Sequence, residues 1–175
     1  MMESQLQNGG AHDGHALYKK DNLQAWEAMA GQWETFQTPV TADGKPDDGN
    51  DMFSQCLLPE VDFLANWKEG ETVLDLGAGS GIIARRFAAM GAHVTGLDFS
   101  EKMLQKGRER SAREKLRGSI EYDFIDLMDY DGMAKYMAKR KERFDIVTIS
   151  TTLKSLPDLE PVARALPLML KPNGR

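Results

Sequence analysis

Apolar positions along the chain change their spacing near residue 70. Before that point they recur at helical intervals. Leu23, Trp26, Met29, Ala30, Trp33 and Phe36 fall on one face of a helix that starts from Asp21 as its N-cap. A second helical stripe runs through Phe53, Cys56, Leu57, Val61, Leu64 and Trp67, with a bend expected at Pro59. The stretch QTPVTADGKPDDGND between them is dense in Pro, Gly and Asp and reads as an exposed loop. Residues 1–20 are polar and glycine-containing and read as a mobile arm.

From Glu71 onward, short alternating or fully apolar runs exchange with amphipathic ones. TVLDLG, HVTGLDFS, SIEYDFID and RFDIVTIS read as strands. Helices are expected from Gly81 to Met90, over SEKMLQKGRERSAREKL with Ser100 as its cap, from Asp131 to Arg140, and over LEPVARALPLMLK before PNG. Strict alternation of strand and helix implies a parallel sheet with crossover helices, a doubly wound α/β sandwich. The organisation expected is an arm (1–20), a helical cap over the carboxyl ends of the strands (21–69) and a sheet domain (70–175).

Composition narrows the class. A chain of 175 residues is one domain's worth and builds a real core. A net charge of -5 argues against general nucleic-acid binding, which wants a basic face. No apolar run reaches membrane-spanning length, and the amino terminus lacks the apolar core of a secretory signal. Cys56 is the only cysteine, so neither an intrachain disulfide nor a multi-cysteine metal site is available, and the three scattered histidines form no metal cluster. A cytoplasmic location is the default.

The candidate chemistry begins in VLDLGAGSG, Val73 to Gly81. Glycines between a buried strand and a helix let the chain turn sharply and let a ligand lie against bare backbone. Gly77, Gly79 and Gly81 give G-x-G-x-G; Ile82 stands where a dinucleotide fingerprint has its third glycine, and no Gly-Lys-Ser/Thr follows. Ligands of open α/β sheets bind outside the carboxyl ends of the strands. Asp75, Asp98 and Asp126 close the first three strands and make an acidic rim there. Such a rim repels phosphates and welcomes a ligand with ribose hydroxyls, an exocyclic amine and positive charge. S-adenosylmethionine fits that description.

VLDLGAGSG, VTGLDFSEKML, FIDLMD, FDIVTISTTLKSLPD and LPLMLKPNGR lie in the order and spacing of the class I S-adenosylmethionine-dependent methyltransferases. Over residues 21–175 the chain resembles these enzymes, most closely the small-molecule methyltransferases related to quinone biosynthesis. The resemblance implies a Rossmann-like sheet of order 3-2-1-4. It implies that Gly77, Ala78 and Gly79 line the methionine part, with Asp75 serving the ammonium directly or through water. Asp98 would take both ribose hydroxyls, Phe99 would cover a face of adenine, and Asp126 would accept from the adenine amino group with Leu127 on the ring. Ser150 and Thr151 would stand near the transferred methyl group. No metal is implied, and the partner is a small-molecule acceptor reacting through O, N, S or C.

Each position also has a plain reading. Asp75 suits a cap on the glycine turn, Asp98 a strand end, and Phe99 and Leu127 core packing; Asp123 and Asp129 blur the register around Asp126. His93 reads as structural, Trp26 and Trp33 as core, and RERSAREKLR as a solvated helix face. Many relatives of this type place a histidine just after the fourth strand, where this chain has Lys154 and Ser155, so no catalytic residue is assigned; His12 and His15 on the arm are remote candidates for a base. The Asn/Asp-Pro-Pro-Tyr/Phe signature of nucleic-acid amino methyltransferases is absent, and ISTT stands in its place. A complete domain of the family continues past LKPNGR into further strands, whereas this chain stops at Arg175. Truncation, an open edge on the fourth strand, partly uncovered Leu159, Val162, Leu166 and Leu170, and self-association or a partner chain are therefore expected. The alternative function is a non-catalytic cofactor-binding or partner subunit; a nicotinamide-dependent oxidoreductase is disfavoured by Ile82 and the acidic rim.

Overall fold

The computed structural model describes residues 10–30, 40–45, 47 and 52–175. Two helices, α1 (Gly10–Met29) and α2 (Met52–Ala65), precede an alternating series. That series runs β1 (Thr72–Leu76), α3 (Ile82–Met90), β2 (His93–Asp98), α4 (Glu101–Ser111), β3 (Ser119–Phe124), α5 (Tyr130–Arg140), β4 (Ile146–Thr148) and α6 (Glu160–Met169). The strands form one parallel sheet in the order β3-β2-β1-β4, as expected.

Burial explains the order. Val73, Leu74 and Leu76 are fully buried, because β1 lies between β2 and β4 with helices on both faces. On one face Val73 and Val94 pack with Ile83 and Phe87 of α3, Leu104 of α4 and Leu58 of α2. On the other, Leu74, Leu76 and Leu97 pack with Met133 and Met137 of α5 and Val162 and Met169 of α6. Register sets Asp75 opposite Gly96 on β2 and Thr148 on β4. The carboxyl ends of the strands therefore open at one level.

Tyr122 of β3 is seated in a socket of missing side chains. A Cβ on Gly81 would lie 1.9 Å from its hydroxyl, one on Gly96 3.0 Å from Cδ1, and one on Gly107 2.9 Å from Cε1 and Cζ. Its hydroxyl lies 3.1 Å from Ser111 Oγ, which closes the network toward α4.

Several boundaries differ from the pattern-based reading. Helix α1 begins at Gly10, so residues 10–20 of the expected arm are helical and Asp21 is interior rather than a cap. Trp33 and Phe36 lie outside the described residues. Trp67 falls beyond the end of α2, with its indole N–H donating to Glu71 O at 2.9 Å. Ser100 caps α4 by accepting from Met103 N–H, but the helix ends at Ser111, not Leu116. In the expected exposed loop, Val40 and Gly44 are buried, and a Cβ on Gly44 would meet Lys115 O at 2.0 Å. RERSAREKLR is only partly solvated, because its Glu114 pairs with the fully buried Arg85.

The outer edge of β4 is partly paired. Arg175 N–H donates to Asp145 O at 2.9 Å, and Val147 N–H donates to Arg175 O at 2.8 Å. Leu159 is exposed, but Val162, expected to be partly uncovered, is buried against the sheet. Val162 lies within α6 on the face that packs against Leu74 and Leu76, whereas Leu159 precedes the first residue of the helix.

Candidate functional site

A single cavity opens at the carboxyl ends of β1, β2, β3 and β4. Asp75, Gly77, Ala78, Gly79, Asp98, Phe99, Asp126, Leu127, Ser150 and Thr151 all line it. Sequence reasoning therefore brought together residues that the fold also brings together, although they span 77 positions from Asp75 to Thr151 counted inclusively.

The glycine loop is shaped by its backbone. Gly77 and Gly79 hold positive φ of 70° and 55°, where a side chain is strained. Gly77 N–H and Ala78 N–H both donate to Leu97 O, at 2.8 and 2.9 Å, so the loop folds over the end of β2. Thr152 closes the loop from the other side: its hydroxyl donates to Gly77 O at 3.4 Å and to Ser150 O at 3.1 Å, and a Cβ on Gly77 would collide with it. Helix α3 starts at Ile82, and Ile82 and Ile83 of its first turn face the cavity.

Asp98 is held from two directions. Gly79 N–H donates to Oδ2 at 2.9 Å and Ser100 N–H to Oδ1 at 2.8 Å. Burial raises its carboxyl above the usual range, opposed by the backbone N–H groups of Ser100, Gly79 and Phe99. A carboxylate has about four acceptor positions, so two remain for a ligand.

Asp75 is 2% exposed and closes β1. Thr148, its neighbour on β4, donates to Oδ1 at 2.8 Å. Oδ2 has no hydrogen-bond partner among the described residues. Burial pushes this carboxyl up to about 7, opposed by the Thr148 hydroxyl, reinforced by the charge of Asp98 and opposed again by the N–H of Ala84. An orphaned acceptor in a buried cavity wall asks for a donor. Ser80 Oγ and Ser150 Oγ, also on the wall, are buried and likewise have no hydrogen-bond partner among the described residues.

Thr151 is a β-branched residue at φ 59°, a strained conformation of the kind that clusters at binding sites. Asp126 accepts from Met128 N–H at 2.9 Å through Oδ1 and pairs with Lys19 through Oδ2. Neither Lys19 nor Asn22 was anticipated, and Trp26, expected as core, is half-buried on the cavity wall. The missed signal was local: Lys19, Asn22 and Trp26 are spaced i, i+3, i+7 and share a helical face once α1 is extended back past Asp21. His93 lies away from the cavity, with Nδ1 2.8 Å from Ser119 Oγ. The side chains of His12 and His15 lie outside the described residues. Among the described residues no His, Cys or Tyr lines the cavity, and no cluster suits a metal ion.

Residues 73–174 match the family model described as "Methyltransferase domain". The chain belongs to that methyltransferase domain family. It is 34% identical over 158 residues to a ubiquinone biosynthesis O-methyltransferase of Pasteurella multocida, covering 89% of this chain and 62% of that relative. A second ubiquinone biosynthesis O-methyltransferase, from Proteus mirabilis, is 33% identical over 160 residues, covering 91% of this chain and 59% of the relative. The chain thus spans about three fifths of the length of these two relatives. Two solved structures share the fold. A methyltransferase from Thiobacillus denitrificans in complex with S-adenosyl-L-homocysteine has a TM-score of 0.56 at 19% identity, covering 83% of this chain and 51% of its own. The DhpI complex with the ligand abbreviated SAH has a TM-score of 0.60 at 20% identity, covering 87% and 63%.

Proposed function

We propose that the chain binds S-adenosylmethionine in this cavity and transfers its methyl group to a small-molecule nucleophile. The observation that carries this reading is the convergence of three strand-end carboxylates on a glycine loop, with Asp75 Oδ2 buried and lacking a donor. The groups present fit the cofactor. Asp75 suits an ammonium, Asp98 has acceptor positions for two ribose hydroxyls, and the glycine loop leaves the backbone bare where a Cβ would intrude. Phe99 and Leu127 supply apolar cover beside Asp126.

Once bound, the cofactor supplies an electrophilic methyl on a positively charged sulfur. The residues of this chain bind, orient and exclude water; alignment alone is worth about 7–11 kcal/mol in well-oriented reactions. With no His, Cys or Tyr among the described lining residues, a neutral amine or an acceptor already ionised in solution suits the cavity best. In this reading residues 21–69 act as a cap and 70–175 as the cofactor-binding domain, and the compartment is the cytoplasm. No helix among the described residues is long and apolar enough to cross a membrane.

The test is calorimetric titration with S-adenosylmethionine and its demethylated product, then a transfer assay over thiols, phenols and amines. Failure of both ligands to bind at millimolar concentration sinks the reading. Binding without turnover of any acceptor favours a non-catalytic cofactor-binding subunit instead, a possibility motivated by the same lack of a base.

A further inference from the structure

Asp126 has both carboxylate oxygens engaged by the protein itself. Oδ1 is fixed by Met128 N–H at 2.9 Å, within the turn that follows β3. Oδ2 carries the ammonium of Lys19, brought from α1 across 107 positions of sequence. The lysine end of this pair is half-exposed and the aspartate end largely buried. Helix α1 is moored at two further points. Asn22 Nδ2 donates to Ser155 O at 3.3 Å, and Glu27 pairs with Lys102 Nζ of α4 at 3.2 Å.

We propose that Lys19 is a built-in competitor for the adenine end of the cofactor site. The inference rests on the methyl-donor reading above, in which Asp126 accepts from the adenine amino group. With Oδ1 held by Met128, Oδ2 is the oxygen open to that amine, and it is the one Lys19 occupies. An ammonium and an aromatic amine both donate and neither accepts, and Lys19 lines the cavity beside the oxygen that the amine would approach, so the two contend for the same place at Oδ2. Cofactor entry displaces Lys19 and frees one mooring of α1, while Asn22 and Glu27 keep the helix over the mouth. Lys19 thereby sets cofactor affinity without touching the reacting atoms.

The test is titration calorimetry of S-adenosylhomocysteine against the full chain, the Lys19→Gln variant and the Lys102→Gln variant. Lys19→Gln is expected to bind roughly two- to fivefold more tightly, the range a half-exposed ion pair supports. Affinity of the unaltered chain should rise from low to high salt as the pair is screened, and that of Lys19→Gln should stay level. Lys102→Gln cuts a mooring away from Asp126 and should change affinity less than Lys19→Gln does. Equal or weaker binding by Lys19→Gln, or an equal gain in both variants, overturns the competition. If the unaltered chain binds no ligand, the methyl-donor reading falls first and this inference with it.

Discussion

Asp75→Asn removes the side chain whose ionisation the fold opposes most plainly. Burial lifts the Asp75 carboxyl from its ordinary 3.8 to about 7. Between those two values the native state keeps a proton that the unfolded chain has released. Stability from this group is thus fully present below the unfolded value, declines as pH rises, and is lost once pH passes the folded value near 7. At about 1.4 kcal/mol per pH unit, the interval amounts to about 4 kcal/mol of destabilisation at alkaline pH. Asparagine keeps an acceptor for the Thr148 hydroxyl and places a neutral amide where Oδ2 now stands without a partner. Some of the gain is offset, because a buried amide N–H without an acceptor costs about 1–3 kcal/mol. That offset does not depend on pH, so the variant should be about 1–2 kcal/mol less stable than the parent near pH 4 and about 2 kcal/mol more stable near pH 8, the sign reversing between them. Urea unfolding of both proteins across that range gives the difference curve. Groups unaltered by the substitution cancel in it, including Asp145, whose carboxyl is held down at about 2 by Lys171 and Thr72 against its own desolvation. A flat difference curve, or one favouring the parent at high pH, refutes the reasoning. The same substitution should weaken S-adenosylmethionine binding, so near pH 8 stability and binding would move in opposite directions.

Further outcomes are expected from single changes. Asp98→Ala should weaken S-adenosylhomocysteine binding about 10- to 100-fold, the worth of hydrogen bonds to a charged group, while His93→Ala leaves it nearly unchanged; equal losses by calorimetry would remove Asp98 from the ribose role. Thr148→Val deletes the side-chain donor to Asp75 found among the described residues and should cost about 1 kcal/mol in urea unfolding while steepening the pH dependence just described. Gly118→Ala puts a Cβ 2.0 Å from the backbone oxygen of Ala92, which cannot swing aside, and should cost about 3 kcal/mol; Gly70→Ala, with nothing within 4 Å but φ at 90°, should cost only about 1 kcal/mol. Comparable melting temperatures for the two glycine variants would contradict the packing.

The sheet was legible because its signals are local. Val73, Leu74 and Leu76 read as a buried strand from their own identities, and Ser100 announced the start of α4 through a hydroxyl three residues before the amide it accepts from. The carboxylates were legible for a related reason: each stands at the end of its own strand, and parallel pairing carries all of those ends to one level. Helix α1 was not. Its start at Gly10 leaves polar residues at the positions where an apolar stripe would mark it, and Lys19 and Asn22 face the cavity rather than a core. Tertiary partners also decided Glu114, whose place in a charge run gives no hint that Arg85 lies buried beneath it. The brief length of β4 followed from its neighbours, since only Val73 to Asp75 of β1 lie alongside it.

The seat of Tyr122 constrains the order in which this sequence can drift. Gly81, Gly96 and Gly107 belong to three different elements, yet each has its side-chain space filled by the same phenol ring. A methyl group gained first at any of them crowds that ring, and at Gly96 also Ala78 Cβ at 2.9 Å, and is selected against. If Tyr122 shrinks first, Gly107 is released outright, while Gly96 still meets Ala78 Cβ at 2.9 Å and Gly81 keeps its φ of 79°; the vacated volume then costs stability until it is filled. Paths through sequence space are thus one-way streets at this point: loss of the ring is the permissive step, and glycine replacement the follower. Homologues that carry alanine or larger at any of the three positions should carry a smaller residue where Tyr122 stands.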